Sequence, residues 1–163
     1  MTKKGFTLIE LLIVIAIIAI IAAVAFVALD PLTRFRDSRD SARWSDITAT
    51  LSAIVVDQVD NGGNYVWSIQ NATTATNLMI SNATTTTGCN ATACDSTVTS
   101  TANCVNLQGL VDEGYLGTMP VSPNGDGSWS STLTGYYLTK NTNGSITIGA
   151  CEAENTGSIT LTR

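Results

Sequence analysis

Glu10 is the only ionisable side chain between Lys4 and Asp30. It stands at the head of an apolar run, Leu11 to Leu29, which contains no charge. A carboxylate inside a membrane costs about 2.5–3.5 kcal/mol near the helix centre and less toward the interface. Glu10 is therefore either an interfacial glutamate that snorkels or is protonated, or a carboxylate that awaits a cationic partner. Because the run has no cation, that partner must come from outside it or from a new amino terminus made by cleavage nearby.

The apolar run is long enough to cross a membrane. Leu11 to Leu29 is nineteen residues, and counting back to Phe6 gives twenty-four. At about 1.5 Å per residue, such a helix spans a hydrocarbon core of roughly 30 Å. It must be helical in lipid, because each backbone polar group needs a partner within the segment. Lys3 and Lys4 precede the run, so the positive-inside rule predicts a cytoplasmic N-terminus.

Four cysteines, at positions 89, 94, 104 and 151, are the other residues with distinctive chemistry. All follow the apolar run and lie on the predicted outer side of the membrane. An even number in a small exported domain predicts two disulfides, and three pairings are possible. We predict Cys89–Cys94, a local loop, and Cys104–Cys151, which ties the tail to the middle. A zinc site is disfavoured because the spacings lack CxxC, and free thiols are the remaining alternative.

The sequence contains no recognisable catalytic constellation. Histidine is absent, which removes the commonest general base and the commonest metal ligand. There is no phosphate-binding loop and no pair of carboxylates that the sequence can place in a cleft. The net charge is −5, and removal of Lys3 and Lys4 would lower it to −7. We therefore predict a protein that is not an enzyme, has no cofactor, and does not bind nucleic acid through its acidic outer part.

Gly5-Phe6-Thr7-Leu8-Ile9-Glu10, followed by the apolar helix, resembles the class III signal of type IV pilins and the related pseudopilins. The resemblance covers roughly the first thirty residues. It implies that a prepilin peptidase cleaves between Gly5 and Phe6, and that Phe6 becomes N-methylated. It also implies that Glu10 attracts the amino terminus of a neighbouring subunit. The new cationic amine of Phe6 would then be the partner that the apolar run lacks.

The resemblance implies a single-pass membrane precursor with a cytoplasmic N-terminus, which later forms an extracellular surface filament. Its partners would be other copies of itself in a helical filament, the prepilin peptidase, a membrane assembly platform with a cytoplasmic ATPase, and lipid before assembly. Such pili, or fimbriae, support adhesion, twitching motility or DNA uptake. The alternatives are a pseudopilin of a type II secretion system and a membrane-anchored binding domain that never polymerises. A secretory signal cut within residues 20–25 is disfavoured, because Glu10 interrupts the junction and the apolar run is too long.

The predicted fold class is α+β, with a long N-terminal helix packed against a small antiparallel sheet. We predict a leader peptide at residues 1–5, a transmembrane and filament-core helix at 6–30, and an outer head at 31–163. Pilins commonly carry a glycine and a proline in the core helix, but this run has neither. Pro31 predicts a bend at the membrane exit, because proline removes a hydrogen bond and disfavours helix at the residue before it.

Residues 32–60 are expected to continue as an amphipathic helix under the sheet. Its apolar residues recur at helical spacing: Trp44, Ile47, Leu51, Ile54 and Val55. Its first half carries charges of both signs: Arg34, Arg36, Asp37, Arg39, Asp40, Arg43 and Asp46. The spacing allows Arg36–Asp40 and Asp40–Arg43 pairs within the helix. This half is either a solvated helix face or a polar collar that links neighbouring subunits.

The rest of the head is divided by turn signals. Asn61-Gly62-Gly63-Asn64 is expected to end the helix, and residues 72–103, rich in Thr, Ala, Asn and Ser, should contain little regular structure. Val105 to Glu113 predicts a short helix with Leu107, Leu110 and Val111 inward and Gly114 as its stop. Strands are predicted at Tyr136–Lys140, Ser145–Ala150 and Ser158–Thr162, the first two around a turn at Asn141–Gly144.

Two further patterns are weak. The turn-rich loop Met119–Gly127 resembles a region through which some pseudopilins bind calcium, and Asn124 and Asp126 offer oxygen ligands. With a single carboxylate there, an ordinary loop is the favoured interpretation. Four N-x-[ST] sequons are expected by chance in a chain so rich in Asn and Thr; they begin at Asn71, Asn82, Asn90 and Asn143.

Overall fold

The computed structural model describes residues 5–83, 89, 94, 97–98, 104–125 and 127–163. The backbone divides into two compact units, one ending at Phe35 and the other comprising Arg36–Arg163. The chain is α+β, as predicted, with a long N-terminal helical stretch and a five-stranded, mostly antiparallel sheet.

Helix α1, Leu8–Leu29, makes up most of the first unit, and α2, Pro31–Asp60, begins within it. Asp30 separates the two helices in the left-handed conformation, with φ +37°. Aspartate tolerates this conformation better than most residues do. The helix is therefore broken directly before Pro31, at the place where the bend was predicted. Proline has no N–H with which to continue the hydrogen bonding of α1.

The second unit contains the sheet and two short helices. In chain order these elements are α3 Trp67–Gln70, β1 Asn77–Ser81, β2 Cys104–Asn106, α4 Gln108–Asp112, β3 Tyr136–Lys140, β4 Ile146–Ala150 and β5 Thr160–Thr162. The strands lie in the order β2-β1-β3-β4-β5. The β1–β2 pair is parallel, and the other three pairs are antiparallel.

The main hydrophobic core lies between α2 and one face of the sheet. Ile47, Leu51 and Ile54 of α2 are buried in it, as predicted, and they share it with alternate strand residues such as Leu138 and Ile148. This alternation is expected of a sheet that covers a core on that face. The core holds α2 against the sheet.

Two residues of α2 depart from the prediction. Trp44 is 38% exposed and Val55 is only half-buried. The buried face of the helix passes through Arg43 and Ile47 instead. Since consecutive helical residues are rotated by about 100°, a face centred on Arg43 turns Trp44 toward its edge. The prediction was wrong for Trp44 because it favoured an indole over a guanidinium at a buried position.

The opposite face of the sheet carries a second, smaller core. Met79 of β1 and Tyr137 of β3 lie in it with the buried sulfurs of Cys89 and Cys94. Gly149 is the ladder partner of Tyr137. A Cβ on Gly149 would overlap the tyrosine ring, so glycine gives the ring room to lie across β4.

The C-terminal hairpin is confirmed, and the third strand forms as the shorter β5. The stop of α2 is also confirmed, with Gly62 at φ +65° and Gly63 at φ +92°. The prediction of little regular structure at residues 72–103 was wrong at Asn77–Ser81, because these residues form β1, which pairs with two other strands. Most of residues 84–103 lie outside the described part of the chain. The helix predicted from Val105 was also wrong at its start, where Val105 belongs to β2 and α4 begins only at Gln108.

Candidate processing and assembly site

The predicted cleavage point lies directly before α1. Gly5 and Phe6 are non-helical and exposed, and the side chain of Phe6 is 87% exposed. A Cβ added to Gly5 would meet no atom within 4 Å, so the fold itself does not require glycine there. Lys3 and Lys4 of the predicted leader lie outside the described residues.

Glu10 is already hydrogen-bonded within its own chain. Its Oε2 accepts hydrogen bonds from the backbone N–H of Thr7 at 2.8 Å and from the Thr7 hydroxyl at 2.7 Å. The Glu10 N–H donates to Thr7 Oγ1 at 3.4 Å. This is a capping box, and it places a carboxylate where the helix dipole favours negative charge. Sequence reasoning missed it, although Thr-x-x-Glu before an apolar run is its signature.

The capping box leaves room for a second partner. Among the described residues, both hydrogen bonds to the Glu10 carboxylate are accepted by Oε2, and Oε1 therefore remains available. Cleavage after Gly5 would leave the box intact, because Thr7 keeps its backbone N–H. It would also convert the backbone nitrogen of Phe6 into a cationic amine. The same carboxylate can thus cap its own helix and accept a hydrogen bond from the amine of another chain.

The surface of α1 is apolar on every side. None of its 22 residues is buried, and Glu10 is its only charged residue. A helix that is hydrophobic all round requires lipid or other helices around it. Among the described residues, one helical stretch within Leu8–Asp60 is long and apolar enough to cross a membrane.

Arg43, by contrast, is completely buried in the second unit and contacts three carboxylates. Its guanidinium lies 2.8 Å from Asp40, 2.8 Å from Glu152 and 2.9 Å from Glu154. It also donates to Ser122 Oγ at 3.0 Å and to a backbone carbonyl at 3.1 Å. All three of its nitrogens are therefore bonded, as a buried guanidinium requires.

Two carboxylates of this Arg43 cluster, those of Glu154 and Asp40, are stabilised in their charged form. Hydrogen bonds from Arg39 are the main reason that the pKa of Glu154 falls to about 2. Burial alone would raise the pKa of Asp40, but N–H donors of Asn155 and Glu154 and the guanidinium of Arg43 hold it below its usual value. The cluster joins α2 to the segment that follows β4.

The cluster decides between the predicted charge pairs of α2. The Asp40–Arg43 pair is confirmed. The Arg36–Asp40 pair is wrong, because the ion pairs of the described residues give Asp40 to Arg43 alone. Arg43 belongs neither to a solvated face nor to a collar between subunits. Arg34 and Arg36 are exposed, and a collar role for them stays a prediction.

Two disulfides are present, as predicted, but they join different pairs of cysteines. Cys89 is bonded to Cys104 and Cys94 to Cys151, with Cα–Cα distances of 5.3 and 5.0 Å. The predicted Cys89–Cys94 and Cys104–Cys151 pairs are therefore wrong. Cys104 begins β2 and Cys151 follows β4, and two strands lie between β2 and β4. Three strand spacings come to about 14 Å, well beyond the roughly 7 Å limit for bridged Cα atoms.

We expect the two bridges to differ in their contribution to stability. Cys94–Cys151 spans 57 residues and Cys89–Cys104 spans 15, so the chain-entropy model gives about 4 and about 3 kcal/mol respectively. The Cys94→Ala/Cys151→Ala variant should therefore unfold at lower denaturant than Cys89→Ala/Cys104→Ala. Peptide mapping without reduction checks the pairing directly. Recovery of a Cys104–Cys151 peptide would contradict the sheet order described above.

The calcium interpretation of the Met119–Gly127 loop gains no support. Asn124 Oδ1 accepts a hydrogen bond from the backbone N–H of Trp129 at 2.8 Å. Asp126 lies outside the described residues. Within the part of the chain that the structure describes, no group of three His, Cys, Asp or Glu residues is placed to hold a metal ion. Of the four sequons, the one at Asn90 also lies outside the described residues.

The comparisons with known proteins agree with the geometry of the N-terminus. A family model for the prokaryotic N-terminal methylation motif matches residues 1–26. This match covers the predicted cleavage point, the capping box and most of α1. No curated protein and no solved structure matches the chain significantly.

Proposed function

We propose that this chain, which carries at residues 1–26 the signature of type IV pilins and pseudopilins, is the precursor of a subunit of a type IV pilus-like surface filament. The signature supports a pilin-like or pseudopilin precursor and a structural protein rather than an enzyme. The observation that carries the proposal is that Gly5-Phe6 lies directly before α1, a helix on which no residue is buried. Such a helix suits first a lipid environment and then a packed bundle of copies.

In the proposed sequence of events, residues 1–5 are the leader, 6–30 anchor the precursor and later form the filament core, and 31–163 are the extracytoplasmic head. Prepilin peptidase cuts between Gly5 and Phe6, and Phe6 is N-methylated. An assembly platform with a cytoplasmic ATPase moves the subunit out of the lipid. The Oε1 atom of Glu10 then accepts the Phe6 amine of a neighbouring copy, while Oε2 remains bonded to Thr7.

The proposed filament is exposed on the cell surface and serves adhesion, twitching motility or DNA uptake. The N-terminal signature is common to pilins and pseudopilins, so the length of the fibre separates the two. Antibody directed against the second unit should label long filaments on intact cells. Short assemblies confined to the periplasm would favour the pseudopilin, and the absence of any assembly would favour an anchored binding domain.

Processing is the first step to test. Mass spectrometry of protein sheared from the cell surface should show a chain that begins at Phe6, heavier by one methyl group. A Gly5→Val variant should insert normally but remain uncut, since a side chain at residue 5 meets open space in the fold and affects only the cleavage junction. A mature chain beginning at Met1, or within residues 20–25, would contradict the proposal.

A further inference from the structure

An open cavity of about 540 Å³ lies at the end of α2. Its lining includes Asp57 and Asn61, the aromatic residues Tyr65 and Trp67, and Glu113, which directly follows α4. All its lining residues are among those the structure describes. It is separate from the N-terminal site and from the Arg43 cluster, and neither of these accounts for it.

Asp57 is the unexplained residue in this cavity. It is 1% exposed, yet its carboxylate takes part in none of the ion pairs of the described residues. Its Oδ1 accepts a hydrogen bond from the side-chain amide of Asn61 at 2.7 Å. Its Oδ2 is buried and has no hydrogen-bond donor. A buried carboxylate with an unsatisfied oxygen is costly, and so the site calls for a donor, above all a cationic one.

The surroundings of Asp57 increase its negative potential. Asp60 Oδ2 accepts a hydrogen bond from the hydroxyl of Tyr115 at 3.1 Å. The pKa of Tyr115 is raised by burial, by that hydrogen bond, and by the charges of Asp60, Glu113 and Asp57. Lys140 forms no ion pair with these carboxylates among the described residues, and its ammonium donates to the Gln70 carbonyl at 2.8 Å.

Aromatic rings complete the wall of the cavity. Trp67 is 76% exposed, which is unusual for an indole in a folded domain. Tyr65 stands beside it in the lining and is anchored through its hydroxyl to the Gly144 carbonyl at 3.1 Å. Indole and phenol faces attract cations, most strongly those that are weakly hydrated.

We propose that this cavity binds a cationic nitrogen group, a guanidinium or an alkylammonium, which lies against Trp67. This group donates to the Asp57 carboxylate when the side-chain amide of Asn61, which is bonded to Oδ1 in this structure, turns aside. A divalent metal ion fits less well, because the described residues offer no set of three suitable ligands and the aromatic wall supplies none. The guanidinium of an arginine side chain provides both the missing donor and a flat face for the indole.

Two sources could supply this group. One is a neighbouring copy of the chain, since Arg34 and Arg36 are exposed and form no ion pair among the described residues. The other is an external basic peptide or amine. Both present the same chemistry to Asp57, so the cavity can be tested in the unassembled subunit without reference to filament formation.

The test uses the full chain in micelles of an uncharged detergent, titrated calorimetrically with N-acetyl-L-arginine amide. N-acetyl-L-citrulline amide, in which a neutral urea replaces the guanidinium, is the matched probe. We expect saturable binding of the arginine derivative only. Asp57→Asn should weaken it by at least about tenfold. Asp37→Asn should leave it unchanged, because this variant makes the same charge change about 30 Å away along α2.

A second variant tests the cavity independently, in case Asp57→Asn does not fold. Trp67→Leu alters an exposed side chain and should weaken binding about threefold. The proposal is overturned if the two probes bind with equal affinity, or if Asp57→Asn and Asp37→Asn have the same effect on binding. It is also overturned if the titration shows no saturable binding heat, which would mean that water satisfies Asp57.

Assembled filaments distinguish the two sources. If a neighbouring arginine fills the cavity, wild-type filaments should not bind the arginine derivative, whereas filaments of Arg34→Gln/Arg36→Gln should. If the ligand is external, both should bind it. If the wild-type chain forms no filaments, that result counts against the proposed filament function alone, because the micelle titration tests the cavity by itself.

Discussion

Replacing Arg43 with methionine is expected to lower the free energy of unfolding of the second unit by about 3–5 kcal/mol. Methionine is similar in length, so the main loss is electrostatic. Arg43 is fully buried, and its removal leaves Asp40, Glu152 and Glu154 facing one another with only Arg39 to neutralise them. Denaturant unfolding of the full chain in micelles, followed by near-ultraviolet circular dichroism, measures the effect.

Arg36→Met is the matched control, because it removes the same charge from an exposed position of the same helix. Its effect should lie within about 0.5 kcal/mol of zero. Adding Asp40→Asn, Glu152→Gln and Glu154→Gln to Arg43→Met removes the repulsion and should recover part of the lost stability. An Arg43→Met variant as stable as Arg36→Met would show that the cluster is solvated rather than buried.

The Arg43 cluster shows what a helical pattern could not reveal. Apolar spacing predicted the positions of Ile47, Leu51 and Ile54 correctly, since all three face one core. It failed at Trp44, because the partners that permit a buried arginine come from residues more than 100 positions away in sequence. No local sequence pattern predicts a buried charge whose partners are so distant in sequence.

The sequence predicted the sheet only where paired strands are neighbours in the chain. The β3–β4 hairpin has a turn of suitable residues and alternating flanks, and it formed as expected. The five-residue β1 lies in a segment dominated by Thr, Ala and Asn, so its apolar residues were too few to stand out. Because β1 separates β2 from β3, missing it also concealed the sheet order that forbids the Cys104–Cys151 bridge.

The N-terminal site was the most predictable part, because its residues are contiguous. Gly5, Phe6 and Glu10 were singled out from their order alone, and the family model matches the same segment, while their roles in processing and assembly stay predictions. What sequence reasoning did not anticipate is that Glu10 has a partner within its own chain. Thr7 binds one oxygen of the carboxylate, so a defect in a Glu10 variant could arise from the cap or from the charge.

Glu10→Gln separates these two roles. Glutamine serves in a capping box as well as glutamate does, so this variant should retain the Thr7 contacts while losing the negative charge. Thr7→Val does the opposite, because it removes the hydroxyl of the cap and leaves the carboxylate. If Glu10 acts through the Phe6 amine of a neighbour, Glu10→Gln should assemble as poorly as Glu10→Ala, and Thr7→Val should assemble nearly normally.

Glu10→Ala is expected to insert and to be cut after Gly5, because the leader and the cleavage junction are unchanged. It should insert at least as well as the wild type, since a carboxylate is costly in lipid. Assembly should fail, because the Phe6 amine of the neighbour would lie unpaired in an apolar core. A loss of about 3–5 kcal/mol corresponds to more than about a hundredfold fewer subunits in filaments. Quantitative immunoblotting of sheared filaments and membranes measures this, with processed subunit accumulating in the membrane. Normal filament yield from Glu10→Ala and Glu10→Gln would instead mean that packing of α1 alone holds the core together.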